Sequence, residues 1–201
     1  MIPEIHLVMH GVAIKKHADP SAIASTVGLA PDTVATVLAG AQDSGRVVAA
    51  DDKFMLSPAG RMILEGEYSR FYGDTRANHA FVSAYESFEQ VNLTLKQLIT
   101  DWQTKEVAGQ RVSNDHGDAD YDESVINRLG DLHERFEPVL AQLAAGVTRL
   151  KIYGDKLSSA LDKAEDGETE WVSDAKVESY HTVWFEMHED LLRIMGRERE
   201  E

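Results

Sequence analysis

Cysteine is absent from this chain of 201 residues. Its absence excludes disulfide bridges, thiolate zinc sites and cysteine nucleophiles. Long apolar runs are missing as well, because no segment approaches the roughly 20 apolar residues that a membrane-spanning helix needs. The start, residues 1 to 7, has neither a basic segment nor an uninterrupted apolar stretch, so we expect a cytoplasmic protein that does not bind a membrane.

Positive charge is scarce. The chain has 20 Lys and Arg against 35 Asp and Glu, which gives a formal net charge of -15 and a sequence pI of about 4.9. Most nonspecific affinity for DNA comes from cations that displace counterions from phosphate, so nucleic-acid binding requires the few cations to gather on one surface. Hydrophobic residues make up 43% of the chain, which favours a folded core over disorder.

Common catalytic and cofactor-binding motifs are also missing. The sequence has no phosphate-cradling glycine loop, dinucleotide fingerprint or serine nucleophile elbow, so we predict a protein that is not an enzyme and binds no cofactor. Asp118, Asp120 and Asp122 alternate as in the opening of a calcium loop, but Glu123 occupies the position of the required glycine. We therefore predict no metal site, and we expect Asp120 to cap the helix that follows.

Residues 20 to 61 begin with the pattern of two short helices joined by a turn. Pro20 suits the first turn of a helix, and Gly28 suits the left-handed conformation that ends one. A second helix is expected to begin near Pro31 and to end at Ser44, with apolar residues along one face.

Two short extended segments follow, 46–50 and 53–57. They flank the polar pair Asp51-Asp52 at hairpin spacing, and Pro58 begins another helix. This order of elements, and above all the stretch 54–61, resembles the winged helix-turn-helix regulators of the MarR and PadR types over about the first third of the chain. The resemblance implies a dimeric transcription factor whose second helix enters the major groove while the wing touches the DNA backbone.

The candidate DNA contacts lie mostly beside the second helix of this pair, because the helix itself contains no lysine or arginine. Its outward face offers Thr33 and Thr36. The end of the first helix and the wing supply the cations expected to contact phosphate, which are Lys15, Lys16, Arg46 and Lys53, with His17 and Arg61 beside them. The alternative is that all of these are ordinary solvated surface residues.

The remaining two thirds of the chain are helical by periodicity. Four apolar seams recur at helical spacing, at 81–102, 125–143, 147–161 and 177–195. We therefore predict a mainly α protein with a winged helix of three helices and a two-stranded wing at 1–66. An antiparallel helical bundle at 67–201 would carry dimerisation and effector binding; the alternative is a pair of long helices that completes its core across a dimer. Between the first two seams, a small hairpin is expected around Ala108-Gly109.

Five aromatic and imidazole side chains form the candidate ligand pocket. His181 and His188 lie seven residues apart on the predicted buried seam of the last helix, and Tyr180 and Trp184 lie beside them. His133 borders the core of the second bundle helix and is expected to meet them across the interior. A histidine-lined pocket of this kind suits a small anionic effector. The alternative is that each histidine pairs with a buried carboxylate or carbonyl and only fixes helix register.

These observations favour a cytoplasmic transcriptional regulator that binds double-stranded DNA as a homodimer. The alternative keeps the fold but uses the winged helix for protein contact, as an accessory or regulatory subunit of a partner enzyme. A third interpretation is a histidine and carboxylate metalloprotein. Glu178 and His181 have the Glu-x-x-His spacing of di-iron bundles, but the predicted bundle contains no second such pair.

Overall fold

The computed structural model describes residues 2–198. The chain is mainly helical with two small antiparallel sheets, as the sequence predicts. It divides into two compact units, one formed by the residues up to Asn78 together with those from His188 onward, and one formed by His79–Met187. These units differ from the predicted domains 1–66 and 67–201, because one helix continues to Ala77 and the second half of the last helix belongs to the first unit.

The first unit begins with α1 (Glu4–Lys15), α2 (Pro20–Val27) and α3 (Pro31–Asp43). Asp19 caps α2 by accepting a hydrogen bond from the Ala22 amide at 2.9 Å, and Gly28 follows it with a φ of 72°. The predicted helix pair and its left-handed glycine are therefore confirmed. Within residues 2–198, no single helix has the length and apolar character to cross a bilayer; only α2 and α3 taken together, bent by 112°, meet both criteria.

A hairpin follows α3. Its strands β1 (Val47–Ala50) and β2 (Lys53–Leu56) pair antiparallel, and the turn residues Asp51 and Asp52 have φ values of 51° and 60°. Two consecutive positive φ values are typical of the turn in hairpins that have a two-residue loop, so the predicted hairpin is confirmed. One pairing was not foreseen from the sequence. Ala18 and Phe54 exchange backbone hydrogen bonds of 3.3 and 2.8 Å, which joins the α1–α2 connection to β2.

α4 (Pro58–Ala77) begins against the base of this hairpin. Ser57 caps the helix by accepting a hydrogen bond from the Gly60 amide at 2.9 Å, and its hydroxyl donates to the Gly45 carbonyl at 2.6 Å. Gly60 is a point of close backbone approach, because a Cβ at this position would lie 1.9 Å from the carbonyl oxygen of Arg46. A glycine is therefore needed where α4 starts beside β1.

The second unit contains most of the remaining elements. They are α5 (His79–Gln103), β3 (Thr104–Val107), β4 (Gln110–Ser113), α6 (Ala119–Gly146), a 3-10 turn (Thr148–Leu150), α7 (Lys151–Glu165) and the short α8 (Glu170–Ser173). α5 packs along α6, and α6 packs along α7. The predicted hairpin around Ala108-Gly109 is confirmed. The last helix, α9 (Tyr180–Met195), starts three residues after the predicted start of its seam at Val177.

The residue that caps the N-terminus of α6 differs from the one predicted. Asp118, not Asp120, is the cap, because its side chain accepts a hydrogen bond from the Tyr121 amide at 3.1 Å. Asp122 is buried in the first turn of the helix, and its Oδ2 lies 2.9 Å from Nδ1 of His116. The part of the chain that the structure describes holds no group of three or more His, Asp or Glu side chains placed to bind a metal ion.

Candidate functional site

α3 presents an outer face without cationic side chains. The buried side of the helix is formed by Val34, Leu38 and Ala41. On the exposed side, the Thr36 hydroxyl donates to the Asp32 carbonyl at 2.9 Å, so its oxygen lone pairs remain as acceptors. Thr33 is half-buried. The face therefore offers small side chains and hydrogen-bond acceptors.

Six basic side chains lie on three segments that meet at the hairpin. They are Lys15, Lys16 and His17 at the end of α1, Arg46 just before the hairpin, Lys53 at the start of β2, and Arg61 in the first turn of α4. The bridge between Ala18 and Phe54 joins the first segment to β2. The close approach of Gly60 to the Arg46 carbonyl joins the third segment to β1. The fold thus brings together segments that are up to 46 residues apart in sequence, from Lys15 to Arg61.

Several of these basic side chains have no anionic partner among the described residues. The side chains of His17, Arg46, Lys53 and Arg61 form no hydrogen bond or ion pair with any residue in the range 2–198. Lys15 is half-buried and Lys16 is exposed. In a chain with 35 acidic residues, unpaired cations on connected segments leave positive charge available for an external anion.

Three of the basic residues also line a cavity of about 370 Å³ within the first unit. Lys16, His17 and Arg61 lie on its wall together with Glu65 and Arg193. Its apolar lining is formed by Val12, Ala13, Met55 and Leu56. Lys16 has a φ of 65°, in a region that lysine rarely adopts, where its amide closes the end of α1 by bonding to the Val12 carbonyl at 2.8 Å. The strained residue is thus part of the cavity wall.

A buried polar network contacts Arg193 through Tyr68. His10 is fully buried, with Nε2 2.9 Å from Oδ1 of Asp190 and Nδ1 2.7 Å from the hydroxyl oxygen of Tyr68. An Nε2–H that donates to Asp190 leaves Nδ1 to accept from the Tyr68 hydroxyl. Burial raises the pKa of Tyr68 by more than the nearby Arg193 lowers it, so the phenol stays protonated. Asp190, His10 and Tyr68 therefore form a connected chain that ends at Arg193.

Arg193 is held by acidic side chains. Its guanidinium forms ion pairs with Glu65 at 3.2 Å and with Glu189 at 2.8 Å. Burial lowers the pKa of Arg193, but the combined effect of Tyr68, Glu189 and Glu65 raises this pKa by more, so the net shift is upward. Its Nε atom is buried without a hydrogen-bond partner within residues 2–198. Glu65 and Arg193 also line a second cavity of about 500 Å³, together with Tyr68 and Arg76.

This network was not predicted from the sequence. His6 lies one turn before His10 and is also buried, with Nδ1 3.0 Å from Oε2 of Glu67. A pair of histidines four residues apart on α1 was the available signal, since that spacing places both side chains on one helix face. The partner of His10 had no local signal, because Asp190 lies 180 residues away.

The predicted ligand pocket is only partly assembled. Nδ1 of His133 lies 3.2 Å from the hydroxyl oxygen of Tyr180, and Trp184 stacks beside Tyr180 with ring centroids 6.1 Å apart. Trp184 is buried, and its indole N–H donates to Oδ1 of Asn92 at 3.0 Å. His181 is half-buried. The fifth residue, His188, is buried in the first unit, whereas the other four belong to the second.

His133 does line a groove, but with different neighbours from those predicted. The groove has a volume of about 640 Å³ and runs between α6 and α7 within the second unit. Ser158 lies at the same end as His133, with its Oγ 3.2 Å from Nε2 of the imidazole. Tyr180, His181 and Trp184 do not line this groove. Burial lowers the pKa of His133, so the groove offers a neutral imidazole.

Comparison of this chain with protein-family models, with curated proteins and with solved structures finds no significant match. The chemistry of the site therefore follows from its own geometry. The first unit combines a cavity lined by basic residues, a helix face that carries no cation but exposes Asp32 and Asp43, and cations that are unpaired within residues 2–198. Such an arrangement is suited to binding an anion.

Proposed function

We propose that this protein is a DNA-binding transcriptional regulator whose first unit is a winged helix of the MarR and PadR type. The order of its elements supports the proposal: a helix, a bridging residue, two helices joined by a tight turn, and a hairpin. In this geometry α3 enters the major groove and the hairpin lies along the backbone.

The observation that carries the proposal is the set of unpaired cations on the connected segments. Arg46, Lys53 and Arg61 have no carboxylate partner within residues 2–198, although the chain is strongly acidic. Phosphate contacts position a protein on DNA, and cations outside the recognition helix can supply them. Thr33 and Thr36 on α3 then read base edges with their hydroxyl groups.

A homodimer follows from the same proposal, since winged-helix regulators read two half-sites about one helical turn apart. The helices of the second unit, arranged as an antiparallel bundle, supply the dimer contact. The alanine-rich groove between α6 and α7 supports this assignment, because small side chains allow helices to approach closely. Light scattering of the purified chain tests the dimer directly, and a monomer at micromolar concentration would contradict it.

The DNA proposal is tested with the full chain and a fragment from upstream of its own gene. Fluorescence anisotropy at several salt concentrations should show saturable binding that weakens as salt rises, since released counterions drive the association. A scrambled fragment of equal length and composition is the control for sequence specificity. Absence of binding at low salt to both the upstream fragment and a pool of random duplexes would sink the proposal.

A second candidate function is the docking of another protein. An exposed apolar pair on the hairpin favours this function. Val48 and Met55 are cross-strand partners on one face of the hairpin, and 50% and 39% of their surfaces are exposed. An accessory subunit of a partner enzyme would cover this apolar pair. The double change Val48→Ser and Met55→Ser separates the candidates, because it should abolish capture of a protein partner while leaving phosphate-driven DNA affinity within about twofold.

A further inference from the structure

We infer that the groove of about 640 Å³ between α6 and α7 is a binding site for a primary alkylamine, which carries one protonated amino group on an apolar chain. The inference goes beyond the proposed function, because it requires neither DNA nor a second copy of the chain. The ligand also differs in charge from the anionic effector that the sequence predicts.

Two contacts fix the order of the side chains along the groove. At one end, Nε2 of His133 lies 3.2 Å from Oγ of Ser158. Further along, Leu140 lies opposite Gly154, where an added Cβ would lie 2.9 Å from Cδ2 of Leu140. The two helices therefore run antiparallel along the groove, and residues between these contacts on either helix lie across from one another.

Two carboxylates lie between these contacts. Glu137 precedes Leu140 on α6, Asp155 follows Gly154 on α7, and both side chains line the groove. They therefore stand on opposite walls, beside the pair formed by His133 and Ser158. Neither carboxylate forms a hydrogen bond or an ion pair with any residue in the range 2–198. A cation between them gains Coulomb energy from both and breaks no contact within that range.

The buried hydrogen bonds at this end leave an acceptor for the ligand. Tyr180 is fully buried, and within residues 2–198 the hydrogen-bond partner of its hydroxyl is Nδ1 of His133, at 3.2 Å. A buried hydroxyl hydrogen needs an acceptor, so the hydroxyl donates to Nδ1 and the imidazole carries its hydrogen on Nε2. The Nε2–H then donates to Oγ of Ser158, whose second lone pair remains available in the groove.

Three acceptors thus surround one end of the groove, namely the carboxylates of Glu137 and Asp155 and the hydroxyl oxygen of Ser158. A primary ammonium group has three N–H donors, so it can satisfy all three. Burial lowers the pKa of His133, so at pH 7 the imidazole is neutral and does not repel a cation. A carboxylate ligand at this end would be repelled by two carboxylates.

The rest of the groove sets the shape of the ligand. Beyond Leu140 the wall is formed by small apolar side chains of α6, which are Ala141, Ala144 and Ala145. An alkyl chain attached to the amine covers this surface, and the volume lies within the range of small-molecule sites, roughly 300 to 1,000 Å³.

Lys151 limits the charge of the ligand at the other end. It lines the groove seven residues before Ser158, which corresponds to about 10 Å along α7. Its side chain forms no hydrogen bond or ion pair within residues 2–198, so its charge acts on whatever lies beside it. A second ammonium group at this end would be repelled. The groove therefore favours a monoamine over a diamine.

Isothermal titration of the full chain with hexylamine tests the site, at about 0.15 M salt to screen attraction to the acidic surface. We expect one binding event per chain. Glu137→Gln and Asp155→Asn should each weaken binding at least about fivefold, because a neutral acceptor replaces a charged one. Glu134→Gln is the matched control, since Glu134 is exposed on α6 and does not line the groove, and it should bind within about twofold of the natural protein. Circular dichroism verifies that each variant folds.

Three comparison ligands separate the parts of the argument. Hexanol has the same chain without the charge, hexanoate has the opposite charge, and hexamethylenediamine has a second ammonium group. All three should bind more weakly than hexylamine. Lys151→Gln should strengthen binding of hexamethylenediamine relative to hexylamine, because the repulsion at the far end is removed.

Each outcome supports or overturns the site independently of the proposed function. Hexylamine binding that depends on Glu137 and Asp155 supports the site even if no DNA is bound, in which case the proposed function alone fails. No saturable binding, or an equal loss in Glu134→Gln, overturns the site. Hexanoate that binds as tightly overturns the role of the carboxylates, and hexamethylenediamine that binds as tightly overturns the role of Lys151. A chain that is dimeric by light scattering and binds no hexylamine would assign the groove to the second copy, which overturns the amine site and leaves the proposed dimer standing.

Discussion

His10 and Asp190 are bonded to each other at 2.9 Å although they lie 180 residues apart in sequence. Both side chains are fully buried. Their contact ties the C-terminal half of α9 to α1 within the first unit, beside the N-terminal elements that carry the basic segments. The integrity of the basic surface therefore depends on residues near both ends of the described chain.

Replacement of Asp190 by alanine should destabilise the protein strongly. The change leaves the buried Nε2–H of the neutral imidazole without its acceptor, which costs about 1 to 3 kcal/mol of unfolding free energy. Urea denaturation followed by circular dichroism measures the loss. Asp74→Ala is the matched control, because Asp74 is exposed on α4, and it should change stability by less than about 0.5 kcal/mol. Equal losses in the two variants would contradict the role of the pair.

Replacement of Gly60 by alanine should disrupt the junction of β1 and α4. The added Cβ would lie 1.9 Å from the Arg46 carbonyl oxygen, so the backbone must shift, and we expect a loss of about 3 kcal/mol of unfolding free energy. Gly66→Ala on the same helix is the control, because its Cβ meets no atom within 4 Å. That change should stabilise the protein by about 0.5 to 1 kcal/mol, through higher helix propensity.

Local signals predicted the long helices and both hairpins of this chain, but not the short helix α8. Pro20, Pro31 and Pro58 each stand in the first turn of a helix, and Gly28 has the predicted left-handed conformation. Such residues act through their own backbone restrictions, which the sequence reveals directly. The bridge from Ala18 to Phe54 was not predictable, because a single pair of extended residues leaves no alternating pattern.

The site was harder to predict than the fold. The cations at Arg46, Lys53 and Arg61 could be proposed as a group because the hairpin between them was recognisable. The hydrogen-bonded network through His10 could not, since its members come from helices separated by most of the sequence. The contact of His133 with Tyr180 was suggested by two buried seams. The groove beside His133 is lined partly by residues of α7, and the sequence pattern did not predict which face of α7 lies against α6.

Removal of single cations should weaken DNA binding and flatten its dependence on salt. Arg46→Ala and Lys53→Ala should each lower affinity on the order of fivefold to tenfold. The slope of log affinity against log salt should fall by about 0.9 for each phosphate that the variant no longer neutralises. Lys96→Ala is the control, because Lys96 is exposed on α5 in the second unit and should leave both quantities unchanged. Undiminished binding by both wing variants would contradict the assignment.

Removal of the Thr36 hydroxyl should affect sequence preference more than charge. Thr36→Val keeps the shape of the side chain but removes the acceptor on the exposed face of α3. A base contact worth about 1 kcal/mol corresponds to about fivefold in affinity for the specific fragment, and its removal should leave the salt slope unchanged. Thr94→Val is the matched control, since Thr94 is exposed on α5 and makes the same bond to the carbonyl four residues earlier. An equal effect on random duplexes would argue against base reading.

Protonation of His133 should make the protein less stable as pH falls. Burial lowers the pKa of His133 below the ordinary value of 6.5, and it outweighs the opposite effect of Glu137, Asp162, Glu165 and Glu134. Just below pH 6.5, His133 therefore binds a proton in the unfolded chain but not in the folded chain. The stability that the neutral imidazole contributes is present above pH 6.5 and is lost as pH falls through the folded-state pKa.

His133→Gln isolates this contribution, because the amide can still accept from the Tyr180 hydroxyl and donate to Ser158 but does not titrate. We expect the unfolding free energy of the variant to fall less than that of the natural protein between about pH 7.5 and about pH 5. The other histidines are present in both proteins, so their effects cancel in the difference. His79→Gln, at an exposed position on α5, should keep the full pH dependence. Parallel curves for the natural protein and His133→Gln would show that the imidazole is protonated as readily in the fold as in the unfolded chain.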